Sequence, residues 1–188
     1  FGGLLLILMR GRVRWAAVAP LTLGLVLWAG VDRPPLLISS DGALVGLDTP
    51  LGRALSAEKG AGFTAGTWLE KDGDMASQAE AFARAGFTGA RGAREFTLPT
   101  GHKVIALSGK SADVAAACAR ADLVVLSTTV PNPSQLSKDC LVIDKTVLGR
   151  SGALAGWPDG RTWVFFPARR SNRIWMGQQK PPNLPVLQ

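Results

Sequence analysis

The sequence predicts an α/β protein, with α+β as the alternative: a membrane helix followed by a small extracytoplasmic domain built on a mixed sheet. Three observations predict it. The uncharged run Trp15–Val31, WAAVAPLTLGLVLWAGV, stands between RGRVR and DRPP. A strand–helix–strand pattern runs from Lys103 to Ser127. Two Asp-Gly turns, Asp41-Gly42 and Asp159-Gly160, each separate a pair of apolar stretches, as β-hairpins require.

Taken as an α-helix, the first run would be about 25 Å long, near the lower limit for crossing a bilayer. Trp15 and Trp28 sit near its ends, where indole rings favour the headgroup region. Pro20 is poorly suited to the interior of a water-exposed helix and better tolerated in a membrane one. A signal peptide and a buried core helix are the alternatives. Ala29-Gly30 resembles a cleavage site only weakly. Residues 1–9, FGGLLLILM, are apolar and read as the end of a preceding transmembrane helix, making the chain the end of a longer protein. The basic loop 10–14 carries three arginines and is cytoplasmic by the positive-inside rule. The helix 15–31 then leads outward. The domain 32–167 and the tail 168–188 fall in the periplasm, outside the bacterial inner membrane.

Within the domain, Asp32-Arg33-Pro34-Pro35 ends the helix. LLIS (36–39) and LVGLD (44–48) form a hairpin around Asp41-Gly42, with a third short strand at Arg53–Leu55. Phe63–Leu69 is a helix stopped by Asp72-Gly73-Asp74, and Ala76–Ala85 is a second one ending at Gly86. Residues 86–94 lack periodicity and read as an exposed loop. Phe96–Leu98 and Lys103–Leu107 pair across Pro99-Thr100-Gly101. Ser111 caps a helix over 112–121, and DLVVLS (122–127) follows as a buried strand parallel to 103–107. After the Pro-rich loop 128–139 comes the strand CLVID (140–144). ALAGW (153–157) and RTWVFF (161–166) make the last hairpin. The tail has no periodic pattern and reads as a loose arm.

The formal charge is +7, with a single histidine and two cysteines. Net basicity suits anionic lipid or nucleic acid, and says nothing of the fold. One histidine, His102, cannot build a zinc cluster, and its place at a turn predicts exposure. Gly109-Lys110-Ser111 lacks the earlier glycine of a phosphate loop. Asp41, Asp48, Asp122, Asp139 and Asp144 fall at strand ends or in turns, where local backbone bonding explains them. No catalytic set emerges, and no metal or cofactor is expected. Cys118 and Cys140 could form one disulfide or be two small buried side chains. Arg161, Arg169, Arg170 and Arg173 lie among Trp163, Phe165, Phe166 and Trp175, a mixture that can hold phosphates and stack bases or form a solvated basic face.

The order of features resembles the C-terminal end of the ComEC-type competence proteins, the inner-membrane channels for single-stranded DNA in natural transformation, in their alphaproteobacterial branch. The residues that carry it are PPLLISSDGALVGLDTPLGRAL (34–55), Trp68-Leu69 with Asp72-Gly73-Asp74, ADLVVLS (121–127) and CLVIDKTVLGRSGALAGW (140–157). The resemblance implies single-stranded DNA, the lipid bilayer and other competence proteins as partners, with oligomers conceivable. Many members carry a metallo-β-lactamase-like domain here, with an Asp-Val-Gly-Gln-Gly-Asp opening strand and a His-His-Gly-Ser loop. LLISSDGALVGLD lacks the first motif, and Thr128-Thr129-Val130-Pro131 stands where the histidine loop would follow. A relative of that fold would be a degenerate one, without metal and not an enzyme.

The expected function is therefore the terminal segment of a DNA-uptake channel, with a non-catalytic periplasmic domain that guides DNA through its four arginines or braces the pore. The rivals are a structural or partner-binding domain without DNA contact, and a hydrolase built on Asp or Ser residues.

Overall fold

A computed structural model describes residues 2–8, 11–30, 32–109, 113–130, 140–160 and 162–169. It divides into two compact units, residues 1–33 and 34–188.

The first unit contains α1 (Gly2–Leu8), a 3-10 helix (Gly11–Ala17) and α2 (Val18–Ala29), with α1 packed on both of the others. The single helix expected over 15–31 is thus divided. Pro20 explains the division: it stands in the first turn of α2, where its missing N–H leaves no intrahelical bond unmade. A helix of 12 residues extends about 18 Å, against a hydrocarbon thickness of about 30 Å. Among the described residues no helix is long and apolar enough to cross a membrane. The expected basic loop 10–14 falls largely within the 3-10 helix.

The second unit is a mixed α/β structure with two sheets rather than the single sheet expected. The first sheet is antiparallel throughout, in the order β3 (Ala54–Leu55), β2 (Val45–Leu47), β1 (Leu36–Ile38), β8 (Leu154–Asp159), β9 (Thr162–Pro167). The second runs β4 (Ala93–Thr97), β5 (Lys103–Leu107), β6 (Leu123–Leu126), β7 (Leu141–Ile143), with β5, β6 and β7 parallel and β4 antiparallel to β5. Joining β1 to β8, over 100 residues later in the chain, merges the two predicted hairpins into one sheet.

Alternation along the strands explains why the sheets stack. Leu36, Ile38, Val45, Leu47, Leu154 and Trp163 point from the first sheet toward Phe96, Val104, Leu123, Val125, Leu141 and Ile143 of the second. The outer face of the first sheet is covered by α3 (Gly62–Lys71) and α4 (Gln78–Ala83), through Leu44 and Leu55 against Ala65, Leu69 and Ala81. The outer face of the second is covered by α5 (Val114–Cys118), through Ile105 and Val124 against Ala117 and Cys118. Four layers result: helices, sheet, sheet, helix. β6 and β5 read as continuous apolar runs because both of their faces are covered.

Several boundaries differ from expectation. α4 ends at Ala83, not Ala85, because Arg84 is extended and turns its guanidinium back toward Asp74. Its start is a reciprocal cap in which the Ser77 hydroxyl and the Glu80 carboxylate each accept the other's backbone N–H. The stretch 86–94 is not simply an exposed loop: Phe87 is buried against Phe96, and Thr88 pairs with Glu95 along the edge of β4. α5 is capped by Asp113, whose carboxylate accepts the N–H of Ala116, while Ser111 lies outside the described residues. A helix absent from the sequence reading, α6 (Lys145–Ser151), follows β7.

Candidate functional site

In a sheet with parallel strands, ligands are bound at the carboxyl ends of those strands. Here β5, β6 and β7 end on the same rim as the turn of the β1–β2 hairpin. That turn is tightly bonded. The Ser39 hydroxyl donates to Asp41 Oδ1 at 2.5 Å and accepts the N–H of Leu44, while Asp41 Oδ1 also accepts the N–H of Ala43. Gly42, at φ +70°, leaves no room for a side chain: a methyl group there would overlap the Leu126 carbonyl at the end of β6 and touch Leu148 of α6. The hairpin tip is thus seated on the second sheet.

Asp144 completes the rim. Its Oδ1 accepts the N–H groups of Thr146 and Val147, capping α6, and its Oδ2 accepts the N–H of Val130 in the segment after β6. Lys145 lies close enough to act on Asp41. Burial alone would raise the Asp41 pKa, but the Ser39 hydroxyl, the backbone N–H groups and the Lys145 charge together hold it below the ordinary carboxylate value. Both carboxylates are therefore engaged with the backbone of the turns they organise. Beside them lies a crevice of about 20 Å³, lined by Gly42, Ser56, Arg94 and Ser108 and large enough for about one water. Among the described residues no three His, Cys, Asp or Glu side chains gather as a metal would need.

His102 is elsewhere and half-buried, not exposed at its turn: its ring meets Trp163 edge-on at 5.4 Å, and its Nδ1 is 3.0 Å from the Thr100 hydroxyl. Of the four arginines singled out in the sequence, Arg161, Arg170 and Arg173 lie outside the described residues. Arg169 ties the end of β9 to the end of α6. Its Nη1 donates to the Gly149 carbonyl at 2.8 Å, and its backbone N–H donates to the Ser151 carbonyl. A cation bonded to the last turn of a helix is well placed against the helix dipole. Cys118 and Cys140 are joined in a disulfide with a Cα–Cα distance of 5.3 Å, linking the end of α5 to the start of β7.

The sequence reading missed a second polar constellation. Arg53, 1% exposed, donates from Nε to Asp72 Oδ2 at 2.5 Å and from Nη1 to the Pro34 carbonyl at 3.3 Å. Arg84 forks onto Asp74 and also donates to the Arg53 carbonyl at 2.9 Å. Gly52 makes room for this second pair, and Trp68 lies against Gly46. Trp68, Asp72 and Asp74 thus have architectural roles. The signal was present, since two Asp residues bracketing a glycine after a helix offer two carboxylates in different directions, but their arginine partners are distant in sequence.

No protein family, no curated protein and no solved structure matches this chain.

Proposed function

We propose that the chain is the C-terminal part of a ComEC-type DNA-uptake protein of the bacterial inner membrane, with a non-catalytic periplasmic domain that guides DNA or braces the pore. The observation that carries the reading is an apolar helix whose side chains stay largely exposed although α1 packs on it, followed within a few residues by a disulfide-closed domain. Leu23, Leu25, Val26, Leu27 and Trp28 of α2 are all largely exposed, on every side of the helix. Such a helix is at home in hydrocarbon and not in water. Its one hydroxyl, on Thr22, donates to the Val18 carbonyl. From Trp15 to Ala29 the 3-10 and α rises add to about 24 Å, which a locally thinned bilayer accommodates. The Cys118–Cys140 bridge suits an oxidising compartment.

The four-layer stacking supports a degenerate metallo-β-lactamase-like fold for the domain. The donor set of the rim does not fit the metal centre that such a fold would hold. Ser39 and Asp41 face their own turn, Asp144 holds three backbone N–H groups, and the segment Ser127–Val130 contains no histidine.

A bracing or partner-binding role without DNA contact is favoured by one observation, the engagement of Arg169 with α6. Binding of single- and double-stranded DNA by the reconstituted chain across a salt series separates the two roles. Guidance by phosphate contacts predicts binding that falls steeply with salt and weakens when Arg161, Arg169, Arg170 and Arg173 are replaced by Gln. Absence of binding at low salt rules out guidance and leaves bracing.

A further inference from the structure

We propose that the outer face of β8 and β9 is a docking surface for the chain's own C-terminal segment Ile174-Trp175-Met176. Three side chains make that face one surface. β9 turns Trp163 and Phe165 toward the core, so Val164 and Phe166 stand on the opposite side. Trp157 of β8 lies opposite Val164 in register, and its ring meets Phe166 edge-on at 5.2 Å. Val164 is 39% exposed and Phe166 is 54% exposed. The helices that cover this sheet sit at its other end, where α3 and α4 bury Leu44 and Leu55 and Trp68 lies against Gly46 of β2. β9 also closes the strand order, so its outer edge has no strand beside it among the described residues. An apolar edge strand in that position is open to a further segment of chain.

Charge, area and reach select the occupant. Residues 154–158 and Thr162–Pro167 carry no charged side chain, so these strands offer nothing to a phosphate or an acidic peptide. Val164 and Phe166 together expose roughly 200 Å². That is well short of the ~800 Å² that each of two separate molecules contributes to a stable interface. A tethered segment needs less, because its tether supplies an effective concentration of about millimolar. The tail is such a segment. Arg169 is fixed at the end of β9 by its bonds to the Gly149 and Ser151 carbonyls, and the chain runs on from there to Gln188. Ser171-Asn172 come next, residue types that favour a chain reversal. Ile174-Trp175-Met176 then form the first uncharged apolar stretch, within about 17–25 Å of the Arg169 anchor. Phe166 and Val164 lie about 10–17 Å back along β9 from the same anchor, inside that reach.

The test uses the full chain in mild detergent, with two introduced cysteines and a short bismaleimide. Gly177→Cys is paired with Val164→Cys on the face or with Arg150→Cys on α6. The native cysteines are bridged and do not compete for the reagent. Arg150 is exposed and adjoins Gly149, to which Arg169 is bonded, so a tail without a seat reaches position 150 at least as readily as position 164. Docking makes the 164–177 link within one chain form several-fold faster than the 150–177 link. Replacing Ile174, Trp175 and Met176 by Ser abolishes that advantage. Phe166→Cys in place of Val164→Cys repeats the comparison and guards against a variant that disturbs β9. Equal rates at 164 and 150, or an advantage that survives the Ser replacements, overturn the docking. A link formed chiefly between two chains overturns it as well and assigns the face to a second copy.

Discussion

Arg53 is the residue on which the first sheet's edge most depends. Its guanidinium is buried, and it satisfies Asp72 and a backbone carbonyl at once. Removing Arg53 takes a charge-assisted hydrogen bond from Asp72 and one from the Pro34 carbonyl, at a cost of about 1.5–3 kcal/mol for the bond to the charged group. Arg53→Met is therefore expected to lower the urea midpoint of the chain in mild detergent, whereas a substitution at exposed Lys59 leaves it unchanged. Asp74 makes a pH-dependent contribution. Its hydrogen bonds from Arg84 hold its pKa below the ordinary value, outweighing the effect of burial. The same bond raises the Arg84 pKa further. A carboxylate with a folded pKa below its unfolded one stabilises fully above the unfolded value, near 3.9, and loses that contribution as pH falls through the folded value. Asp74→Asn should flatten the acid side of the stability curve, while Asp41 and Glu80, whose pKa values are also held low, keep part of the slope. A variant that loses stability on acidification as steeply as the native chain would show that another carboxylate dominates. In the sequence Asp72-Gly73-Asp74 was legible as a helix stop with two carboxylates, but not their partners, because Arg53 and Arg84 reach them only after the chain has folded back on itself.

At the scale of elements, legibility followed locality. The hairpins at Asp41-Gly42 and Asp159-Gly160 were readable because a turn and its two strands are contiguous, and β5–α5–β6 because a crossover helix between apolar runs demands a parallel pair. α6 escaped notice because Thr146, Val147 and Gly149 weaken its helical pattern. What starts it is Asp144, whose carboxylate caps two N–H groups in the structure. The pairing of β1 with β8 escaped for a different reason: both strands alternate, but nothing local encodes a contact so distant in sequence. The disulfide closes α5 onto β7 across a separation of 22 residues, and its stabilisation is on the order of 3 kcal/mol. Reduction is expected to lower the unfolding midpoint and to speed hydrogen exchange at Val114–Cys118 and Leu141–Ile143 before other elements. Uniform acceleration across both sheets would instead mean that the bridge supports the whole sandwich.

For the whole molecule, an apolar segment and an α/β domain bring different constraints to one chain. The first unit exposes Leu and Trp side chains, and the second buries a core between two sheets. The site residues read from sequence illustrate the limit of a pattern argument. Arginines among aromatics suggested phosphate binding, yet Arg169 serves a helix terminus, and the aromatic Trp163 belongs to the core. The fold supplies a two-sheet body whose rim carboxylates are engaged in holding turns together. The central claim is that this body works in DNA import, and an uptake assay tests it most directly. Residues 34–188 would be deleted from the protein as its source organism encodes it, with the amount of protein in the membrane checked by immunoblot, and import of labelled DNA measured. The account predicts that import is lost while the truncated protein remains in the membrane. Import at the level of the intact protein would contradict it.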